Sequence, residues 1–239
     1  MDAGVQFDQL FASAKESDAQ SRASTHFARD CLWIVDQVQN GPPESIVGVA
    51  ALCMLSIQQP FWMMPRQMAD LAENGISSVY LFGAKRSGLA YVMRNRRELH
   101  KSALAYADGR ISLDTLILDY LAVPSLGIVK ASFLAQMTVG DGACLDTLNL
   151  RTLGLAETAF RLPKTLTVGT VRKRIAAYNA VWRSVGDSAH WWDSWCDLVA
   201  TRSHNARGAL IQGFDDTAHV SRTHRLAITG GIKSESFLD

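Results

Sequence analysis

Apolar residues return every three or four positions along most of this 239-residue chain, and that spacing belongs to helices buried along one side. It runs through "FDQLFASA", "HFARDCLWIVDQVQ" and "ESIVGVAALCMLSI". Turn signals interrupt it at "NGPPES", "QQPFWMMP", "ENGISS", "ADGRIS" and "TVGDGA", where glycine and proline end a helix. Alternating strand patterns are scarce; "SSVYLFG" is the best candidate, and it is short. The expected fold class is all-α.

Local chemistry sets the helix ends. "SLDTLILDYLA" is amphipathic, with Ser112 able to cap it and Asp114 in its opening turn. Val123-Pro124-Ser125 must end it, because proline pushes its predecessor out of the helical region. A second helix follows from about Ile128 to Met137, so residues 112–137 read as helix, short hairpin, helix. A glycine-bearing loop, Thr138 to Ala143, leads into "CLDTLNLRTLG", the start of a third helix. "PPES" places proline in the first turn of another helix, with Glu44 complementing its dipole. Further helices are expected around Val168 to Val185 and Ser188 to Arg202; Trp191, Trp192 and Trp195 on the latter read as core packing. After Ser203 the composition turns polar, and residues 203–239 read as a loosely packed tail.

With 48% hydrophobic and 20% charged residues the chain has the means to bury a core. Its net charge of +1 hides an asymmetry: residues 1–80 carry four Lys/Arg against nine Asp/Glu, and the remainder carries twenty against fourteen. The densest basic run is Lys85, Arg86, Arg94, Arg96, Arg97 and Lys101, opposed only by Glu98. Such a run is either a solvated face or a phosphate-binding footprint. Met1 to Leu10 lacks a basic leader pattern, and the longest apolar run, Ile46 to Ile57, is too short to span a bilayer. Cys31, Cys53, Cys144 and Cys196 are scattered, which suits neither a disulfide framework nor a zinc or iron–sulfur site. A cytoplasmic protein with no membrane partner, no metal and no cofactor is expected. His219 and His224 bracket Arg222 in the tail and read as solvated residues.

The stretch "SLGIVKASFLAQMTVGDGACLDTLNLRTLG", Ser125 to Gly154, carries the chemistry. Lysine and aspartate are seldom fully buried unless paired or working, yet Lys130 sits within an apolar helix and Asp146 follows beyond the glycine loop. A tight turn whose N–H groups face outward at a helix N-terminus binds phosphate without needing a basic side chain. Gly127 would let a sugar-phosphate backbone come close.

These residues, "VPSLGIVKASFLAQM" and "CLDTLNLR", resemble the helix-hairpin-helix superfamily of DNA base-excision glycosylases, the endonuclease III-like proteins. Leu148 stands where the family motif has histidine, and the cluster cysteines of endonuclease III are absent. The resemblance implies two helical lobes over residues 1–202, terminal segments packing together, and double-stranded DNA with a damaged or modified base held between the lobes. It implies catalytic roles for Lys130, as the amine that attacks the sugar, and for Asp146, as the carboxylate that supports positive charge there. Backbone contacts would come from Ser125, Gly127, Ile128 and Arg151 on the hairpin side, from Lys85, Arg86, Arg94, Arg96 and Arg97, or from Arg172 to Arg174. Gln58, Gln59, Phe61, Trp62 and Asn149 are candidates for a wedge or base pocket.

The same stretch, with "WWDSWCDLVA", also looks like a phage-associated branch of the superfamily acting on hypermodified thymine, which would place the protein in a bacterial host cytoplasm. There an amine or amino acid would displace pyrophosphate from a modified 5-hydroxymethyluracil. Lys130 would neutralise the leaving group and Asp146 accept a proton. A non-catalytic DNA-binding module is the third reading.

Overall fold

The computed structural model describes residues 27–57, 64–75, 78–79, 83–162, 165 and 167–194. All regular structure among them is helical. A π-helical turn, Ala28–Leu32, runs into α1, Trp33–Asn40. There follow α2, Ser45–Leu55; α3, Met64–Asn74; α4, Ala84–Ala107; and α5, Leu113–Tyr120. After these come α6, Ile128–Val139; α7, Thr147–Thr152; and α8, Val168–Arg183. Residues 188–194 are helical again. Of the strand candidate "SSVYLFG" only Ser78, Val79 and Gly83 lie among the described residues, where Ser78 has 3-10 helical geometry, Val79 is a bend and Gly83 a turn. Trp195, Cys196 and the tail with His219, Arg222 and His224 lie outside them.

The centre is α2. "SIVGVAALCML" carries no charge, and all of its residues are buried. A helix apolar on every side must be enclosed on every side, and α1, α3, α4 and α6 all pack on α2. Fully burying side chains such as Ile46, Leu52, Met54 and Leu55 contributes about 1.5–3 kcal/mol each. The two prolines of "NGPPES" lie just ahead of α2 in a turn closed by Ser45 N–H to Pro42 O (3.0 Å), with Glu44 at the N-cap.

The expected helical pair is present. Ser112 caps α5 by accepting from the Thr115 N–H, the turn spans residues 121–127, and α6 begins one residue after Gly127. Tyr120 and Thr138 hydroxyls meet at 3.0 Å, tying α5 to α6. Gly88 on α4 lies under the turn. A Cβ there would stand 2.3 Å from Pro124 O and 2.9 Å from Ser125 Oγ, so a glycine that costs about 1 kcal/mol in a helix is what lets α4 and the turn approach. At the far end α6 runs to Val139, two residues past Met137, and Gly140 closes it with φ 74°, the left-handed geometry glycine adopts without penalty. The tryptophans of 188–194 pack inward: Trp191 and Trp192 are buried, and Trp192 stacks on Phe133 with ring centroids 6.1 Å apart.

Candidate functional site

Lys130 is the third residue of α6, one of a few half-buried positions in a helix that is otherwise mostly core. Its ammonium turns toward the C-terminal end of α2, donating to Ser56 Oγ at 3.1 Å and lying 3.6 Å from Cys144 Sγ, with the Phe133 ring 5.0 Å away. None of these partners is a carboxylate. A half-buried cation held by a hydroxyl, a thiol and an aromatic face is not locked into an ion pair.

Lys85 comes to the same place from α4. It is 3% exposed and donates to Ile57 O at 2.6 Å, one residue on from Ser56, where the last carbonyls of a helix need donors. Burial, and then the charge of Lys130, hold the Lys85 amine below the usual lysine range. This corrects its reading as a DNA contact: Lys85 falls on the same helical phase as buried Leu89 and Val92, so it points inward.

Asp146 is the N-cap of α7, its Oδ1 accepting from the Asn149 N–H at 3.0 Å. It is half-buried, two residues after Cys144. Burial pushes the Cys144 thiol up; Lys130 opposes that shift and Asp146 adds to it. The Cys53 thiol is likewise pushed up by burial, again opposed by Lys130. Both thiols therefore stay protonated at neutral pH and serve Lys130 as neutral neighbours. Lys130 thus reaches Cys144 directly, while Asp146 follows Cys144 by two residues in the chain and is engaged in capping α7 at the Asn149 N–H.

The loop between α6 and α7 is pinned from several directions. The Tyr178 hydroxyl on α8 donates to Ala143 O (2.5 Å) and accepts from the Leu145 N–H (2.9 Å). Ser132 Oγ accepts from Ala143 N–H at 3.1 Å, and Ser188 Oγ from Gly142 N–H at 2.8 Å. Asp141 accepts from Tyr106 and Arg183; burial and then Asp141 push the Tyr106 phenol up to about 12. A loop so held fixes the position of Asp146.

The other candidates divide. Ser125 is exposed with φ 76°, and Gly127 is exposed with extended backbone and no atom within 4 Å of where a Cβ would stand. Ile128 is buried, so its side chain contacts no ligand and only its backbone N–H is offered. Asn149 is likewise 3% exposed, its amide donating to Cys144 O at 2.8 Å; it braces the loop rather than lining a base pocket. Arg151 is exposed and paired with Glu157. Arg96 holds Glu44 at 2.8 Å and keeps that carboxyl below its usual range. Arg86, Arg94 and Arg97 are exposed. On α8, Arg172 reaches Thr115 Oγ1 at 3.3 Å and Arg174 reaches Arg161 O at 2.8 Å. Gln58, Gln59, Phe61 and Trp62 lie outside the described residues.

Sequence reasoning missed Ser56, Cys144 and Tyr178. Ser56 and Tyr178 are distant in the chain from Lys130 and Asp146, and only the phase of Lys85 within its helix was available as a local signal. Among the described residues no helix is long and apolar enough to cross a membrane. Comparisons with family models, with curated proteins and with solved structures returned no match to this chain.

Proposed function

We propose that the protein is a DNA base-processing enzyme of the helix-hairpin-helix kind, with two lobes about a DNA cleft, which cleaves the N-glycosidic bond of a flipped damaged or modified base. The observation that carries this reading is the contact of the half-buried Lys130 amine with Cys144, two residues before Asp146 in the chain, beside a turn whose outward backbone is unobstructed at Gly127. The Lys130 amine, once neutral, attacks the sugar C1′ as the base departs; the resulting carbinolamine opens to a Schiff base on Nζ. The Asp146 carboxylate supports the positive charge that develops on the sugar. The first-turn N–H groups of α6, which lack intrahelical acceptors, hold a backbone phosphate.

Incubation with a panel of modified-base duplexes and borohydride tests this. A covalent protein–DNA adduct in the wild type, absent from Lys130→Ala, is the expected result. A wild type that neither forms an adduct nor releases or alters a base on any duplex of the panel would leave only a binding module. The half-buried Lys130, held by Ser56 and Cys144 with no carboxylate among these partners, favours a second reading, in which it stabilises departing pyrophosphate while an amine is transferred to a modified thymine. That outcome shows as a heavier nucleoside with no adduct.

Gly127 supplies a further check. Its φ of −95° needs no glycine and no atom of the described residues fills its Cβ space, so the described fold leaves this glycine unexplained. Gly127→Ala is expected to change unfolding free energy by less than about 1 kcal/mol while weakening duplex binding about tenfold, measured by fluorescence anisotropy.

A further inference from the structure

Helix α4 carries six Lys/Arg and a single acidic residue, Glu98, on a chain whose net charge is only +1. Two of the six are spent: Lys85 is buried on Ile57 O and Arg96 is paired with Glu44. Arg86, Arg94, Arg97 and Lys101 are all exposed, and among the described residues none has a carboxylate within ion-pair distance. Elsewhere several exposed arginines are paired, as in Arg66 with Asp70, Arg110 with Asp108, and Arg151 with Glu157, while Arg172 reaches only the Thr115 hydroxyl.

The direction of this stripe is fixed by Gly88, whose Cα faces the turn at Pro124 and Ser125. At 3.6 residues per turn, Arg86 and Arg97 project about 160–180° around the helix from Gly88, and Arg94 and Lys101 about 120–140°. Asn95 departs from helical geometry midway, with φ −106° and ψ 15°. The phase nevertheless survives, because Leu99, His100 and Ala103 beyond it are still buried with Leu89 and Val92 before it. The stripe therefore looks away from the hairpin. Duplex DNA has a persistence length of about 50 nm, so a duplex seated on the hairpin does not curl around α4 to meet it.

The geometry points to a second duplex-binding surface on the outer face of α4, which holds a separate DNA segment by its phosphates while the hairpin holds the first. The stripe extends about 22 Å along the helix, and three of its four cations are arginines, whose planar forks suit phosphate oxygens. The opposite face of α4 is committed to the core, so the helix has no apolar side to lay into a lipid surface. This inference rests on the hairpin as a DNA-binding element and adds a second site to it.

Sedimentation of the full chain with a short unmodified duplex tests it. Wild type is expected to bind two duplexes per chain. Arg86→Gln/Arg94→Gln/Arg97→Gln is expected to bind one, with the slope of log K against log salt shallower by about 3. One duplex per wild-type chain at saturation, or a triple variant with unchanged stoichiometry and slope, overturns the proposal. Nucleoside mass analysis of wild type incubated with the modified-base panel, run beside the sedimentation, separates the two ideas. Two bound duplexes without any base chemistry would sink the enzyme reading alone, and base chemistry with one bound duplex would sink this one alone.

Discussion

Asp146→Asn is expected to leave the fold intact and to slow base processing by at least about a hundredfold. The substitution separates the two things Asp146 does. As N-cap it accepts the Asn149 N–H at 3.0 Å, and asparagine caps a helix as well as aspartate does. Thermal unfolding should therefore shift by no more than a degree or two from the small loss of charge at the α7 N-terminus. The other role needs the negative charge: an amide cannot support a developing sugar cation or accept a proton from an attacking amine. Asp146→Ala is the control, losing the cap as well and costing about 1 kcal/mol of stability. Single-turnover rates on whichever duplex the wild type processes decide the matter. Full activity in Asp146→Asn would reduce Asp146 to a cap and remove the carboxylate from the mechanism.

What the sequence made legible is what depends on neighbours in the chain. The apolar spacing and local end signals foretold α5, α6 and α8 nearly to the residue: Ser112 caps the start of α5, Pro124 follows its end, and Gly140 closes α6. Lys130 and Asp146 stood out for the same reason, as charges set against an apolar run. What meets them from elsewhere was hidden. Ser56 comes from the end of α2 and Tyr178 from α8, and no local pattern records that a loop at 143–145 is gripped by a phenol on α8. The basic run from Lys85 to Lys101 shows where the limit falls. Its composition left a solvated face and a phosphate-binding footprint both open and treated the run as one face, yet the helical phase turns Lys85 inward with Leu89 and Val92 and leaves four cations outside. That phase is present in the sequence; the partner that makes it decisive, the carbonyl of Ile57, is not. Gly88 and Asn149 follow the same logic, each explained only by the close approach of a segment the sequence does not place.

Gly142→Ala is expected to destabilise the protein by about 2–4 kcal/mol, adding backbone strain to a steric clash. Gly142 has φ 125°, where a side chain is strained whatever the space around it, and a Cβ there would stand 2.5 Å from Ser132 O and 3.2 Å from Gln136 N. Both of those atoms belong to the α6 backbone and cannot swing aside. Relief requires the loop to lift from α6, which breaks the Gly142 N–H bond to Ser188 (2.8 Å) and the Ala143 N–H bond to Ser132 (3.1 Å). The loop also carries Cys144, which Lys130 contacts, and leads into Asp146, so the same displacement shifts both. Urea unfolding should show a lower midpoint at unchanged slope, and activity at a temperature where the variant is still folded should fall with it. Gly127→Ala, at a glycine with open space around it, is the contrast: it should retain stability and lose affinity. A Gly142→Ala protein as stable as wild type would mean that the loop has a second arrangement of equal energy, and the fixed geometry from which Asp146 derives its role would have to be abandoned.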